Sequence, residues 1–85
     1  MPSQTVTVGS RVGLHARPAA LIAQAATETG VPVTIATNAG QPVDAGSALL
    51  IMTLGAKCGD QVVVSSEDEA AMRKVADLVA ADLDA

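Results

Sequence analysis

One short segment of the sequence combines residue types suited to chemistry at phosphorus. It reads GLHARPAA over residues 13–20, and it holds the only histidine of the chain, His15, two positions before Arg17. A neutral imidazole nitrogen is a nucleophile, and a guanidinium group binds the oxygens of a phosphoryl group in a planar, two-pronged fashion. The segment therefore predicts a histidine that can take up a phosphoryl group.

The proline of this segment predicts where the histidine lies. Pro18 is typical of the first turn of a helix, where its missing N–H would be unpaired anyway. His15 is thereby predicted at the very beginning of a helix. The unpaired N–H groups there carry roughly half a positive charge. This field and Arg17 both disfavour an imidazolium, so we expect the pKa of His15 to lie below its ordinary value of about 6.5. The phosphorylated product would be an anion stabilised by the same groups.

The alternative interpretation of His15 is structural. A single histidine is more often an ordinary surface or core residue than a nucleophile. Here four features together favour a functional histidine, although each alone is weak. They are the preceding glycine, Arg17, Pro18 and the predicted strand-loop-helix setting. A solvated charge is the corresponding alternative for Arg17.

The spacing of apolar residues predicts the elements that position this segment. Alternation predicts strands, and recurrence every three or four residues predicts helices. The expected order is a strand at 4–8, a helix at 16–29, strands at 31–37 and 42–45, a short helix from 47 to about 54, a strand at 60–66 and a long C-terminal helix.

Several residues predict how these elements begin, end and face the core. Gly30 and Gly55 are expected to end the first two helices, and Ser47 to cap the second. Ser66 and Glu69 match a capping box, which predicts the start of the third helix. The residues expected to face the core are Val6, Val8, Ala19, Ile22, Ala23, Ala26, Val33, Ile35, Met72, Val75, Ala76, Val79 and Leu83.

The pattern predicts a two-layer α+β fold in a single domain over residues 1–85. Three amphipathic helices are expected to cover one face of a mainly antiparallel four-stranded sheet, with solvent on the other face. Pro42 cannot donate to a ladder, so the third strand is expected at a sheet edge, in a hairpin with the second.

Composition excludes several classes of function. The net charge is −4 and no residue is aromatic, which argues against nucleic acid as a partner. No apolar run approaches the roughly 18 residues of a membrane span, and no secretory signal is visible, so a cytoplasmic protein is expected. With one cysteine and one histidine, neither an internal disulfide nor a metal site is expected, and Cys58 is interpreted as a loop residue. A self-sufficient kinase is excluded because the chain lacks a glycine-rich phosphate loop.

The chain resembles the histidine-containing phosphocarrier family of the bacterial phosphoenolpyruvate-dependent sugar phosphotransferase system. The resemblance lies in GLHARPAA, in the segment GSALLIMTLG at 46–55 and in the order of the elements. The resemblance implies an open-faced sandwich of four antiparallel strands under three helices. It implies that His15 accepts a phosphoryl group at Nδ1 from phosphorylated enzyme I and passes it to enzyme IIA proteins, with Arg17 assisting. A monomer without cofactor or metal is expected.

The resemblance also implies docking and regulatory positions. The residues expected to dock partners are Ala20, Ala48, Leu49 and Met52. Ser47 falls where some family members are phosphorylated by an ATP-dependent kinase. Its neighbours Gly46 and Ala48 differ from the basic and larger apolar residues of those members, which argues against this regulation. Val12 stands where many members place a small polar residue that orients the imidazole.

Two other functions remain open at this point. The same fold could carry phosphoryl groups in a nitrogen-related or dihydroxyacetone-kinase branch. It could also be a regulatory interaction domain without chemistry, although regulators of that kind lack the histidine. Testing which enzyme I phosphorylates the chain would distinguish these alternative phosphotransfer branches.

Overall fold

The computed structural model describes residues 2–9, 16–37 and 40–81. Within these ranges the chain forms four strands and three helices in the predicted order. They are β1 (Ser3–Thr7), α1 (Ala16–Glu28), β2 (Val33–Thr37), β3 (Val43–Asp44), α2 (Ala48–Thr53), β4 (Gln61–Ser66) and α3 (Glu69–Ala80). The predicted succession of elements is confirmed.

The four strands form one antiparallel sheet in the order β1-β4-β2-β3. Val6 lies opposite Val62, and Ile35 lies opposite both Val64 and Val43, so apolar residues face the same side across the sheet. β3 is an edge strand paired only with β2, as Pro42 predicted. β1 forms the other edge.

The core lies between the sheet and the helices. α3 contacts β1, β4 and β2, while α1 contacts α2 and α3. Every residue predicted to face the core, except Leu83, is buried, and Leu83 lies outside the described residues. The opposite face of the sheet carries small and polar side chains, among them the exposed Thr5, Thr7 and Gln61. The predicted two-layer α+β architecture is therefore confirmed.

The ends of α1 and α2 follow the sequence prediction closely. Gly30, at φ +74°, follows α1, and Gly55, at φ +64°, follows α2. Both angles lie in the left-handed region that glycine adopts without steric cost. The Ser47 side chain caps α2, because its Oγ accepts a hydrogen bond from the Leu50 amide at 3.3 Å.

The predicted capping box at the start of α3 is wrong. Asp68 is the N-cap, and its Oδ1 accepts hydrogen bonds from the amides of Ala70 and Ala71 at 2.9 and 3.2 Å. Ser66 is 1% exposed and remains in β4. Its Oγ donates to the Pro32 carbonyl at 2.8 Å and accepts from the Asp68 amide at 3.2 Å. The hydroxyl is therefore used inside the fold and is not available to cap the helix.

The remaining differences concern element ends. β1 spans Ser3–Thr7 and β2 begins at Val33, two residues later than predicted. α1 ends at Glu28, and β3 is limited to two residues. Such differences of one or two residues are expected, because the terminal turns of helices and ends of strands are weakly defined. None of the helices in the described ranges has the length and apolar character to cross a membrane.

Candidate phosphoryl-acceptor site

The first turn of α1 is anchored in the core. Pro18 and Ala19, the third and fourth residues of the helix, are fully buried. Pro18 removes no intrahelical hydrogen bond, because the first four amides of a helix have no partner within it. The predicted helix start at Ala16 is confirmed, and the burial of Pro18 and Ala19 holds this turn in place.

His15 immediately precedes Ala16 in the sequence and lies outside the described residues, as does Val12. Its predicted position at the start of the helix, its ionisation and its role as acceptor therefore stay predictions. The described residues establish α1, the helix that begins at the residue directly after His15.

Arg17 is the second residue of α1, and its side chain is exposed. Side chains of an α-helix lean towards the helix N-terminus, so a residue at this position covers the turn before it. The cationic group of Arg17 is thus available to an anion bound beside the start of α1. This agrees with the predicted role of Arg17 without testing it.

The electrostatic field at the start of α1 favours an anion. The first turn contains no acidic residue, so no carboxylate of its own neutralises the partial positive charge of the free amides. The start of α3 differs, because Asp68 caps it and Glu69 lies in its first turn. Of these two helix starts, the one next to His15 is the one left without a carboxylate.

The predicted docking residues lie on the outer surface of α1 and α2. Ala20, Leu49 and Met52 are exposed, and Ala48 is half-buried. Ile51 is the one buried residue of α2 and packs into the core. α2 therefore has a core face and an outer face, as the sequence suggested, while docking itself stays a prediction.

Two further apolar residues of this surface were not among the predicted docking residues. Leu21 and Leu50 are large, apolar and exposed. The helical spacing contained the signal for Leu21, because it falls outside the buried series Ala19, Ile22, Ala23 and Ala26. Leu50 lay in an unbroken apolar run in which spacing alone does not separate inner from outer positions.

Two other residues have the structural placement expected of them. Ser47 acts as the N-cap of α2, which accounts for a serine at this position without any modification. Cys58 is exposed in the turn before β4 and is interpreted as a loop residue.

Comparison with known proteins gives a consistent result over the whole chain. The family model described as "PTS HPr component phosphorylation site" matches residues 2–81. The phosphocarrier protein HPr of Streptomyces coelicolor is 48% identical over 87 residues, which cover 99% of this chain and 94% of that protein.

Solved structures agree. A phosphocarrier protein HPr from Bacillus anthracis superposes with a TM-score of 0.84 at 32% identity, covering 92% of this chain and 95% of that one. HPr-C-His from Thermoanaerobacter tengcongensis gives a TM-score of 0.83 at 34% identity, covering 93% and 91%.

In the described residues, a four-stranded antiparallel sheet under three helices, with a first helix turn free of acidic residues directly after the histidine position, defines a small α+β phosphocarrier domain. The chain belongs to the HPr family of phosphocarrier proteins of the phosphotransferase system. The resemblance stated from GLHARPAA and the predicted phosphocarrier function are confirmed at this level.

Proposed function

We propose that this single domain accepts a phosphoryl group on His15 from phosphorylated enzyme I and transfers it to enzyme IIA proteins for sugar uptake. The lone pair of Nδ1 forms the new bond to phosphorus while the bond to the donor breaks and its electron pair returns to the donor. In the second step, the same exchange occurs with an acceptor histidine or equivalent nucleophile of the enzyme IIA protein.

One observation carries the proposal most directly: α1 begins at the residue after His15 and has no acidic residue in its first turn. The free amides there stabilise negative charge on a phosphoryl group bound at the preceding residue. The exposed Arg17 supplies a second, mobile positive charge for the phosphoryl oxygens. Transfer at phosphorus depends mainly on such positioning and charge neutralisation, which a small domain can supply.

The protein is proposed to act as a carrier and not as an enzyme by itself. Its own residues supply the acceptor and the charges that stabilise the phosphorylated state, while the donor supplies the phosphoryl group. A monomer in the cytoplasm, where phosphoenolpyruvate is available to the donor, is part of the same proposal. Phosphorylation of Ser47 is not part of it, because the cap that Ser47 forms accounts for the residue.

The test is phosphorylation by enzyme I. The chain is incubated with phosphoenolpyruvate, Mg²⁺ and enzyme I, and its intact mass is measured. We expect one added phosphoryl group that is labile in acid and stable in base, and no addition without enzyme I. His15→Ala is expected to abolish the modification, and an unmodified wild-type mass would reject the proposal.

The same experiment distinguishes the alternative circuits. Enzyme I proteins of the sugar and nitrogen-related branches, and the phosphoryl donor of a dihydroxyacetone-kinase system, are supplied in separate reactions. Fastest transfer from the sugar-branch enzyme supports the proposal. Fastest transfer from one of the other donors would keep the chemistry at His15 and assign the chain to that branch.

A further inference from the structure

The two edges of the sheet differ in how they are protected against further strands. Edge strands expose backbone N–H and C=O groups, and proteins commonly block them by short length, proline or charge. β3 has all three features, because it is two residues long, directly follows Pro42 and contains Asp44. β1 has none of them. It is five residues long and pairs with β4 in an unbroken register, and residues 2–9 carry no charge.

The register of β1 shows which of its backbone groups face outwards. The Pro2 carbonyl accepts from the Ser66 amide at 3.1 Å, and the Val8 amide donates to the Asp60 carbonyl at 2.8 Å. Alternate residues of an antiparallel strand point these groups to the same side, so the even-numbered residues face β4. Pro2 faces β4 as well, so its missing N–H removes no donor from the other side. The residues whose amides and carbonyls point away from β4 are Ser3, Thr5 and Thr7.

Within the described ranges no strand lies beyond this side of β1, which we call the free edge. We propose that the free edge pairs with the same edge of a second copy of this chain, antiparallel and centred on Thr5. A two-fold axis perpendicular to the sheet sets Thr5 opposite Thr5 of the second copy, and Ser3 opposite its Thr7. The outward amides and carbonyls then bond to each other. The product is one continuous sheet that joins the four strands of each copy, with both helical layers on the same side.

The distribution of charge favours a second copy as the occupant of the free edge. A net charge of −4 disfavours contact between copies in general. At the free edge, however, only uncharged side chains meet, because hydroxyl groups face each other on the open side and Gln4 lies opposite Val6 of the second copy. α3 packs on β1 and β4 and would lie near its counterpart. Its charged residues balance to zero; they are Glu69, Asp77, Arg73 and Lys74.

The size of the contact predicts a weak and reversible dimer. A strand of five residues gives an interface about 17 Å long and one strand deep. Stable dimers bury about 800 Å² on each partner, which is well above what such a strip supplies. We therefore expect a dissociation constant of about 0.1–0.5 mM. The monomer proposed above as the carrier is the main form below this concentration. Pairing does not require phosphorylation, so it is independent of the proposed function.

Amide hydrogen exchange followed by NMR tests the pairing residue by residue, at about 0.02 mM and about 2 mM protein. We expect the amides of Ser3, Thr5 and Thr7 to exchange at least about threefold more slowly at the higher concentration, because a bond to the second copy protects them. The Asp44 amide is the matched control. It points outwards at the β3 edge, since the next amide, that of Ala45, bonds to the Val33 carbonyl at 2.9 Å. Its exchange rate is expected to stay constant.

Thr5→Lys and Thr34→Lys form a matched pair of variants that change the net charge equally. Thr5→Lys sets two like charges side by side at the two-fold axis, and we expect it to raise the dissociation constant at least about fivefold. Thr34→Lys places the same charge on the open side of β2, away from the free edge. It is expected to keep the wild-type constant within about twofold. Sedimentation equilibrium measures the constants, and circular dichroism checks that both variants keep the fold.

Four results would overturn the proposal. Exchange of the three outward amides that is the same at both concentrations would show that the free edge binds no second copy. Equal dissociation constants for the two lysine variants would place the dimer contact elsewhere. A dimer that separates only over hours would show that whole strands are exchanged between copies. Protection that appears only when enzyme I is added would assign the edge to that protein. None of these results changes phosphoryl uptake at His15, so this failure is distinguishable from failure of the proposed function.

Discussion

The backbone amide of Gly9 donates a hydrogen bond to the carbonyl oxygen of Val79, with the two atoms 3.1 Å apart. A Cβ atom added at Gly9 would lie 2.7 Å from the carbonyl carbon of Ala80, which is closer than such atoms approach. The absence of a side chain at Gly9 therefore permits the contact. It joins the last turn of α3 to the end of β1, from which the chain continues towards His15.

Gly9→Ala is expected to destabilise the protein by about 1–3 kcal/mol, because the added methyl group meets backbone atoms that must shift. Urea unfolding followed by circular dichroism measures this change in the free energy of unfolding. Gly46→Ala is the matched control. Its added Cβ would meet the side chains of Asp44 and Thr27 at 3.1 and 3.3 Å, and side chains give way more easily. Equal stability of Gly9→Ala and wild type would show that the end of α3 adjusts freely.

Ser66→Ala is expected to lower the free energy of unfolding by about 1–3 kcal/mol, because it removes a buried hydroxyl that bonds to both Pro32 and Asp68. The two backbone groups would then lack a partner inside the protein. Ser65→Ala, one position earlier on the same strand and facing the open side of the sheet, should change stability by less than about 0.5 kcal/mol. Similar losses in both variants would contradict the role assigned to the Ser66 hydroxyl.

Asp68→Ala is expected to cost about 1 kcal/mol, because two amides of the first turn of α3 lose their acceptor. Glu67→Ala removes a neighbouring carboxylate that is not the N-cap and serves as the control. Thermal unfolding of the two variants measures the difference. If Glu67→Ala proved the more destabilising, Asp68 would not be the functioning cap.

The start of α3 shows where prediction from sequence reached its limit. Ser66 followed by Glu69 fits a capping box, but Asp68 is an equally good cap by residue type. The choice is made by tertiary structure, since the Ser66 hydroxyl pairs with Pro32, 34 residues away in the sequence. Such a long-range partner leaves no trace in the local pattern. Gly30, Gly55 and Ser47 were predicted correctly because their roles depend on neighbouring residues only.

Ile51→Ala is expected to lower the stability of the protein, whereas Leu49→Ala is expected to slow phosphoryl transfer, although both residues lie in α2. Ile51 is fully buried, so its truncation should cost about 2–5 kcal/mol. Leu49 is 69% exposed, so its truncation should change stability by less than about 0.5 kcal/mol while slowing transfer from enzyme I. Chemical unfolding and transfer rates are measured on both variants. A large loss of stability in Leu49→Ala would show that this residue packs in the fold.

Arg17→Ala is expected to slow phosphoryl transfer by about 10- to 100-fold, which corresponds to the loss of one or two charge-assisted hydrogen bonds. Arg17→Lys keeps the charge without the planar pair of donors, so an intermediate rate is expected. Both variants should unfold at the wild-type midpoint, because the side chain is exposed. Transfer followed by quenched-flow mass measurement gives the rates, and a wild-type rate for Arg17→Ala would remove Arg17 from the mechanism.

The sequence predicted some features of the candidate site and left others open. Pro18 predicted the beginning of α1 because its covalent structure restricts where it occurs in a helix. The outer position of Leu49 followed only in part, since an apolar run such as 48–52 can bury any of its residues until the neighbouring elements are known. The absence of acidic residues in the first turn of α1 was visible in the sequence, but its importance depended on where the helix begins.

The order β1-β4-β2-β3 has a consequence for synthesis of the protein on the ribosome. β4 lies between β1 and β2, yet it is the sixth to be made of the seven elements that the described residues form. β1 consequently has no neighbour to pair with until most of the chain has left the exit tunnel. Closing the long loop between β1 and β4 is also slow compared with forming local helices. The nascent chain is therefore expected to hold an unpaired strand edge for most of its translation.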